Sequence, residues 1–362
     1  MMSEENSQSR NPMQLGLFMP NCSNAYSMST YKPDPQDWTY ESNLRIAQAA
    51  EAADFDFLFP VAKWQGYGGE TDYLATSLET FTWASALLAN TQKINIFSTV
   101  HVPVFHPVAT AKMGATLDHI GNGRWGLNIV SGWSEHEFGM MGIEVIPHAE
   151  RYQRSEAYIE ILKGLWTQEP GSFSYDCEWY TIKNGDVRPA PMHKPHPIIA
   201  NAGVSEDAKG MVSRACDWAF ISLPSIEDAA EVTQDIKGRA TKLGRTVQCA
   251  CYPYVLWRDT DSEAQEERQR IVENIDREAV DNWAAGLKIQ SGSFDDFTAE
   301  MYALGGGALP VVGTKEYVAE TLRELYDRGM DGFLMVMLDY YKDTLRFDRD
   351  IAPLLKKMGV RS

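Results

Sequence analysis

The amino-acid sequence predicts an α/β fold, a closed (β/α)8 TIM barrel with insertions after some of its strands. Short apolar runs alternate with longer amphipathic stretches along the chain, and there are eight of each. Such alternation builds a parallel sheet covered by helices, and eight repeats match a closed barrel better than an open doubly wound sheet.

The runs expected as strands are 13–19, 55–61, 94–99, 125–130, 198–200, 218–222, 249–257 and 332–337. Each is short, apolar and rich in Ile, Val, Leu or aromatic residues, as a strand buried on both faces requires. The stretches expected as helices are 40–53, 78–90, 108–120, 149–167, 205–214, 226–243, 315–328 and a last one near 347–357. Three segments exceed what a minimal barrel needs: 20–39, 168–197 and 258–310. In the second, Phe173-Ser-Tyr faces Trp179-Tyr-Thr across an acidic turn, which reads as a hairpin. The third opens with a charged helix over 261–277 and ends in Gly305-Gly306-Gly307, expected as a mobile segment or lid. Residues 1–12 are polar and read as a disordered tail, leaving 13–362 as one barrel domain.

Composition narrows the function classes. With 44% hydrophobic residues the chain can bury a full core, and its formal charge of −17 disfavours nucleic acid or an anionic membrane as partner. No apolar run approaches the roughly 18 residues of a membrane span. The five cysteines are scattered without zinc-type spacing, which fits a reduced, cytoplasmic chain with no metal site.

Barrel chemistry belongs at the C-terminal ends of the strands. There the third run exits at Thr99, and the fourth carries Asn128, Ser131 and Trp133 into the following loop. A buried amide needs a partner, either a neighbouring backbone or a ligand, and the two readings are evenly balanced. Ser205 stands where a helix begins, so it either caps that helix or helps bind phosphate; Glu206 and Asp207 in the first turn favour capping. His101 and His106 lack an acidic neighbour at ligand spacing. His136 and Glu137 are candidates for pocket polarity. No Walker A, GxSxG or strand-linked GxGxxG motif is present.

Several motifs in register carry a resemblance: Gly66-Tyr67-Gly68-Gly69, the run from Ala111 to Arg124, Asn128-Ile-Val-Ser131-Gly132-Trp133, Glu150-Arg151-Tyr152, and Gly313-Thr314 through Gly332-Phe-Leu. Together they resemble the bacterial luciferase-like flavin monooxygenases, nearest the pyrimidine oxygenase and dimethylsulfone monooxygenase branches. The resemblance implies a barrel holding reduced FMN (FMNH2) at its C-terminal mouth, O2 as co-substrate, a separate NAD(P)H:flavin reductase, and a homodimer or homotetramer. It assigns Ala62 and Lys63 to the flavin ring, Asn128 and Glu137 to its polar edge or ribityl chain, Arg151 and Tyr152 to the length of the cofactor, and Ser205 to the phosphate.

In the same pattern Thr99 and Asn128 line the place where O2 meets reduced flavin. Hydroxyl and amide donors there would stabilise a developing anion in a dry pocket. Trp64, Gln65, Phe105, Trp133 and His136 are expected to shape the substrate pocket, for a pyrimidine-like heterocycle, a cyclic amide or a small organosulfur compound. The sequence leaves open which of these is oxidised, the oligomer, and which flavin atom carries oxygen. F420-dependent hydride transfer on a similar barrel is the first alternative. A barrel hydrolase is the second; it would need acidic or His residues where the strand ends carry Thr, Asn and Ser.

Overall fold

The computed structural model describes residues 10–23, 27–291 and 298–361. The chain enters at β1 (Gln14–Phe18) and alternates through α1 (Tyr40–Ala52), β2 (Phe57–Phe59), α2 (Thr80–Ala89), β3 (Asn95–His101), α3 (Pro107–Ile120) and β4 (Trp125–Val130). Next come the short α4 (Glu135–Met140), the long α5 (His148–Thr167) and a hairpin of β5 (Phe173–Asp176) and β6 (Thr181–Gly185). The barrel resumes with β7 (Ile198–Ala202), α6 (Glu206–Ala215), β8 (Trp218–Ile221), α7 (Asp228–Lys242) and β9 (Gln248–Cys251).

A large excursion follows: β10 (Pro253–Arg258), α8 (Asp261–Glu273), α9 (Arg277–Ser291), α10 (Ala299–Ala303), β11 (Leu309–Thr314) and α11 (Lys315–Asp327). Then β12 (Gly332–Met335), α12 (Tyr340–Asp350) and α13 (Ala352–Lys357) end the chain. Eight parallel strands close the barrel in the order β1-β2-β3-β4-β7-β8-β9-β12, with Gln14 of β1 opposite Gly332 of β12 at the seam. The expected (β/α)8 fold is present.

Local signals explain the joints. Thr39 caps α1 through its hydroxyl, Pro107 opens α3 where a missing N–H costs nothing, and Thr260 with Glu263 forms a capping box on α8. The barrel interior is packed with rings: Phe57 meets Phe97 and Trp218 edge-on at 6.1 and 5.9 Å, and Phe18 meets Phe220 at 4.8 Å. Gly16 and Gly126 make room for them. A Cβ on Gly16 would stand 2.2 Å from the Phe57 ring, and one on Gly126 2.5 Å from Phe97. A second apolar shell, including Leu15, Leu17, Ile96, Leu127 and Ile199, joins the strands to the outer helices.

Three elements differ from the expectation. The apolar run 249–257 is two strands: β9 stays in the barrel, while β10 leaves it to pair in parallel with β11, Pro253 opposite Leu309. A continuous buried run reports burial but cannot say which sheet each half joins. The last helix begins at Tyr340, well before 347, and breaks at Ile351 ahead of α13. The Gly305-Gly306-Gly307 run, expected as the end of a mobile segment or lid, is a buried turn held by backbone bonds to Tyr302 and Met301, and residues 292–297 of that segment lie outside the described residues. Of the expected tail, residues 1–9 lie outside the described residues. Arg10 is docked, its guanidinium 3.8 Å over the Tyr326 ring and 3.2 Å from Asp331.

Candidate active site

At the C-terminal mouth of the barrel the strand ends and following loops enclose a cavity with about 1270 Å³ of space, counted out to its open entrance. Thr99, Asn128, Ala62, Lys63, Glu137, Arg151, Tyr152 and Ser205 all line it, and so does Trp133. Trp64 and Phe105 instead line a smaller, more polar side cavity, which shares Ala62, Lys63, Thr99 and His101 with the main one. Gln65 lines neither cavity, and its backbone N–H leans on Glu137 at 3.4 Å. His136 is exposed on α4 and lines neither cavity, because α4 turns its Glu137 and Phe138 face inward.

The β3–β4 register sets Thr99 directly opposite Asn128. The Thr99 hydroxyl donates to the Pro60 carbonyl at 2.6 Å, and the Asn128 side-chain amide lies 3.3 Å from Thr99 Oγ1. A hydroxyl has one proton, and it is already engaged, so the Asn128 atom facing Thr99 must be the amide nitrogen. The consequence reverses one expectation. Thr99 is not a free donor to the cavity; it accepts from and orients Asn128. The Asn128 Oδ1 is buried without a partner among the described residues, and so is Oδ1 of Asn201. Asn201, rather than Asn128, is the amide tied to a neighbouring strand's backbone, donating to the Ile129 carbonyl at 2.5 Å. Of the two, Asn128 lines the cavity, and its unpartnered acceptor leaves a deficit that a ligand N–H or O–H can fill.

The other side of the mouth carries a buried ion pair. Lys63 Nζ is 3.1 Å from Glu137 Oε2, with side-chain exposures of 4% and 2%. Lys63 also donates to the Tyr67 hydroxyl at 2.6 Å and lies 5.0 Å above the Trp133 ring. Glu137 Oε1 accepts from Trp64 N at 2.8 Å, so the carboxylate pins the loop after β2 to α4. Burial pushes the Lys63 ammonium below its ordinary range and raises the Tyr67 phenol well above its own. Burial likewise pushes His101 down to about 4, so that imidazole is neutral at physiological pH.

The third wall is a helix start. Ser205 caps α6 by accepting from Ala208 N at 3.3 Å. The two acids that argued against anion binding are turned aside: Glu206 pairs with Lys209 and Arg239 at 2.8 and 2.7 Å, and Asp207 with His148 at 2.9 Å. Gly203 brings bare backbone to the cavity; a Cβ there would stand 2.9 Å from the Tyr152 hydroxyl and 3.2 Å from Asn201 Oδ1. Arg151 donates to the Gly132 carbonyl at 2.8 Å, holding the loop after β4. A helix N-terminus whose Glu206 is paired with two cations, with a glycine beside it, suits a phosphate.

Sequence reasoning missed Trp283, Tyr252 and Gly306, which also line the cavity. Trp283 comes from α9 and meets Trp133 edge-on at 5.8 Å. Nothing local in its amphipathic helix distinguishes it from a core residue. Among the described residues no three His, Cys, Asp or Glu side chains gather as metal ligands, and no helix is long and apolar enough to cross a membrane.

The family model described as luciferase-like monooxygenase matches residues 13–332. An FMNH2-dependent dimethylsulfone monooxygenase of Pseudomonas putida is 30% identical, covering 96% of both chains. The pyrimidine monooxygenase RutA of Acinetobacter baylyi is 30% identical, covering 95% of both. Among solved structures, DmoA from Hyphomicrobium sulfonivorans superposes with a TM-score of 0.86 at 20% identity, covering 97% of this chain and 90% of its own.

Proposed function

The chain belongs to the luciferase-like monooxygenase family, and from that premise we propose that it is an FMNH2-dependent monooxygenase that uses O2 to oxidise a small organic molecule. The observation that carries the reading is the convergence of Asn128, Lys63, Glu137, Arg151, Tyr152 and Ser205 on one cavity at the barrel mouth. Reduced FMN, when bound, supplies the electron pair that activates O2.

The protein's part is to hold, orient and shield. Ser205 and the bare backbone of Gly203 hold the phosphate end at the start of α6, where Glu206 is paired with Lys209 and Arg239. Arg151 and Tyr152 flank the cofactor's length, and Ala62 and Lys63 border its ring system. Asn128 would hold the cofactor edge, its unpartnered Oδ1 as an acceptor for an N–H and its second amide proton as a donor to negative charge on oxygen. Thr99 is a positioning residue, since its hydroxyl fixes which way that amide faces. Trp133 and Trp283 keep water away from the reacting side.

The electrons come from a separate NAD(P)H:flavin reductase, and the substrate is a pyrimidine-like heterocycle, a cyclic amide or a small organosulfur compound, the first and last in line with the pyrimidine and dimethylsulfone in the relatives' names. The five cysteines, none in a disulfide, suit a reduced cytoplasm, residues 13–362 act as one functional unit, and the assembly is a homodimer or homotetramer. The test is an anaerobic titration of the purified protein with reduced FMN, followed by mixing with O2 while the flavin spectrum is recorded. Tight binding and a transient oxygenated absorbance are expected; no binding overturns the reading, with F420 the next ligand to try.

A further inference from the structure

His101 ends β3 at the place where the main cavity and the polar side cavity meet, and it lines both. Its ring is 6% exposed. The Trp64 indole Nε1 lies 3.3 Å from His101 Nδ1, and an indole nitrogen can only donate. Nδ1 is therefore the acceptor, so the neutral ring carries its proton on Nε2. Burial keeps the ring neutral across the physiological range. Nε2 has no partner among the described residues, and the residue that carries it lines both cavities. A mostly buried donor with a fixed tautomer and no partner is a recognition element waiting for an acceptor.

The surroundings constrain that acceptor. The nearest charges, Lys63 and Glu137, neutralise each other. Glu79 in the side-cavity wall is engaged by the N–H groups of Phe81 and Thr82, both at 2.9 Å. A charged ligand would lose its hydration there and find no free counterion.

We propose that His101 is a substrate-recognition residue whose Nε2–H donates to an oxygen of a small uncharged molecule seated at the junction of the two cavities, with Trp64 a positioning residue that fixes the tautomer. As a statement about substrate it rests on the monooxygenase reading, but the tautomer and the binding event can be measured without turnover.

The experiment uses the full chain with 15N-labelled histidine and bound oxidised FMN. His101 is assigned among the seven histidines by the signal lost in His101→Gln. The expected spectrum shows an Nε2–H tautomer at pH 7, and Trp64→Phe turns it into a tautomer mixture. Dimethyl sulfone or uracil, each bearing acceptor oxygens, should move the Nε2 proton downfield and saturate; dimethyl sulfide, without oxygen, should not. In turnover of whichever probe is oxidised, His101→Phe should raise KM about tenfold with kcat within about twofold, the size of one lost hydrogen bond. His101→Gln, which keeps an N–H donor, should recover most of that loss. An Nδ1–H tautomer in the parent protein overturns the proposal, and so does the absence of any Nε2 response to both oxygen-bearing probes while FMN binds normally. Failure of FMN to bind overturns the flavin reading alone, since the tautomer and the probe titrations still decide the role of His101.

Discussion

Removing the carboxylate of the buried Lys63–Glu137 pair should destabilise the barrel mouth by a predictable amount. The two side chains are 4% and 2% exposed and 3.1 Å apart, so neither charge has water to fall back on. Glu137→Ala leaves the ammonium without its counterion and the Trp64 N–H without its acceptor. Breaking one side of such a pair costs about 3–5 kcal/mol. At about 2.1 cal/mol/K per residue, a chain of this length loses about 1.3 °C in Tm per kcal/mol, so a fall of about 4–7 °C is expected at pH 7.

The pH dependence has a definite sign. Burial lowers the folded pKa of Lys63 below its unfolded value, and removing Glu137 deletes the interactions that oppose that shift. The unfolded chain then binds more protons between the lowered pKa and about 10.5, so the variant gains stability as pH rises, by up to about 1.4 kcal/mol per unit. Thermal unfolding followed by circular dichroism at pH 7 and 9 checks both points. The double variant Lys63→Met/Glu137→Ala should lose less than the sum of the singles, because the stranded charge is gone. A Tm change under about 1 °C at pH 7, or strict additivity, would refute the reasoning.

Two further outcomes follow from the packing. Asp343 is buried on α12, and desolvation raises its carboxyl to about 6, so the stability tied to the neutral form is present below 3.8 and lost as pH rises through 6. A rise from 3.8 to about 6 corresponds to about 3 kcal/mol, and Asn can still accept from Asp339 N; Asp343→Asn should therefore stabilise the protein by about 1–3 kcal/mol at pH 7 and not at pH 4, as denaturant unfolding at both values would read. Gly203→Ala places a methyl 2.7 Å from the Ala208 Cβ and 2.9 Å from the Tyr152 hydroxyl, so FMN affinity should fall at least about tenfold in a fluorescence titration while the far-UV spectrum is unchanged; equal affinity would remove Gly203 and its Ser205 neighbour from the phosphate end.

Some of this molecule is written locally and some is not. Alternating apolar and amphipathic segments determine the eight-stranded barrel, because burial on both faces of a parallel strand leaves a run that periodicity can read. The same logic reaches Thr99, Asn128 and Ser205, since strand ends and helix starts are positions along the chain. Only the tertiary structure decides the rest, for reasons of pairing. Residues 249–257 are equally apolar throughout, yet Cys251 ends in the barrel while Tyr254 pairs outside it with β11, a partner more than fifty residues away.

Trp283 joins the site from α9 because of where that helix lies, which its own periodicity does not encode. Lys63 and Glu137 are seventy-four positions apart and become one neutral unit only when both are buried. Asn128 turns its amide nitrogen to Thr99 and leaves its Oδ1 unpartnered among the described residues, because Pro60 has already taken the proton of Thr99. His101 presents its Nε2 proton because Trp64 occupies Nδ1. A residue's type determines which protons and lone pairs it owns; its neighbours in space determine which of them remain for chemistry.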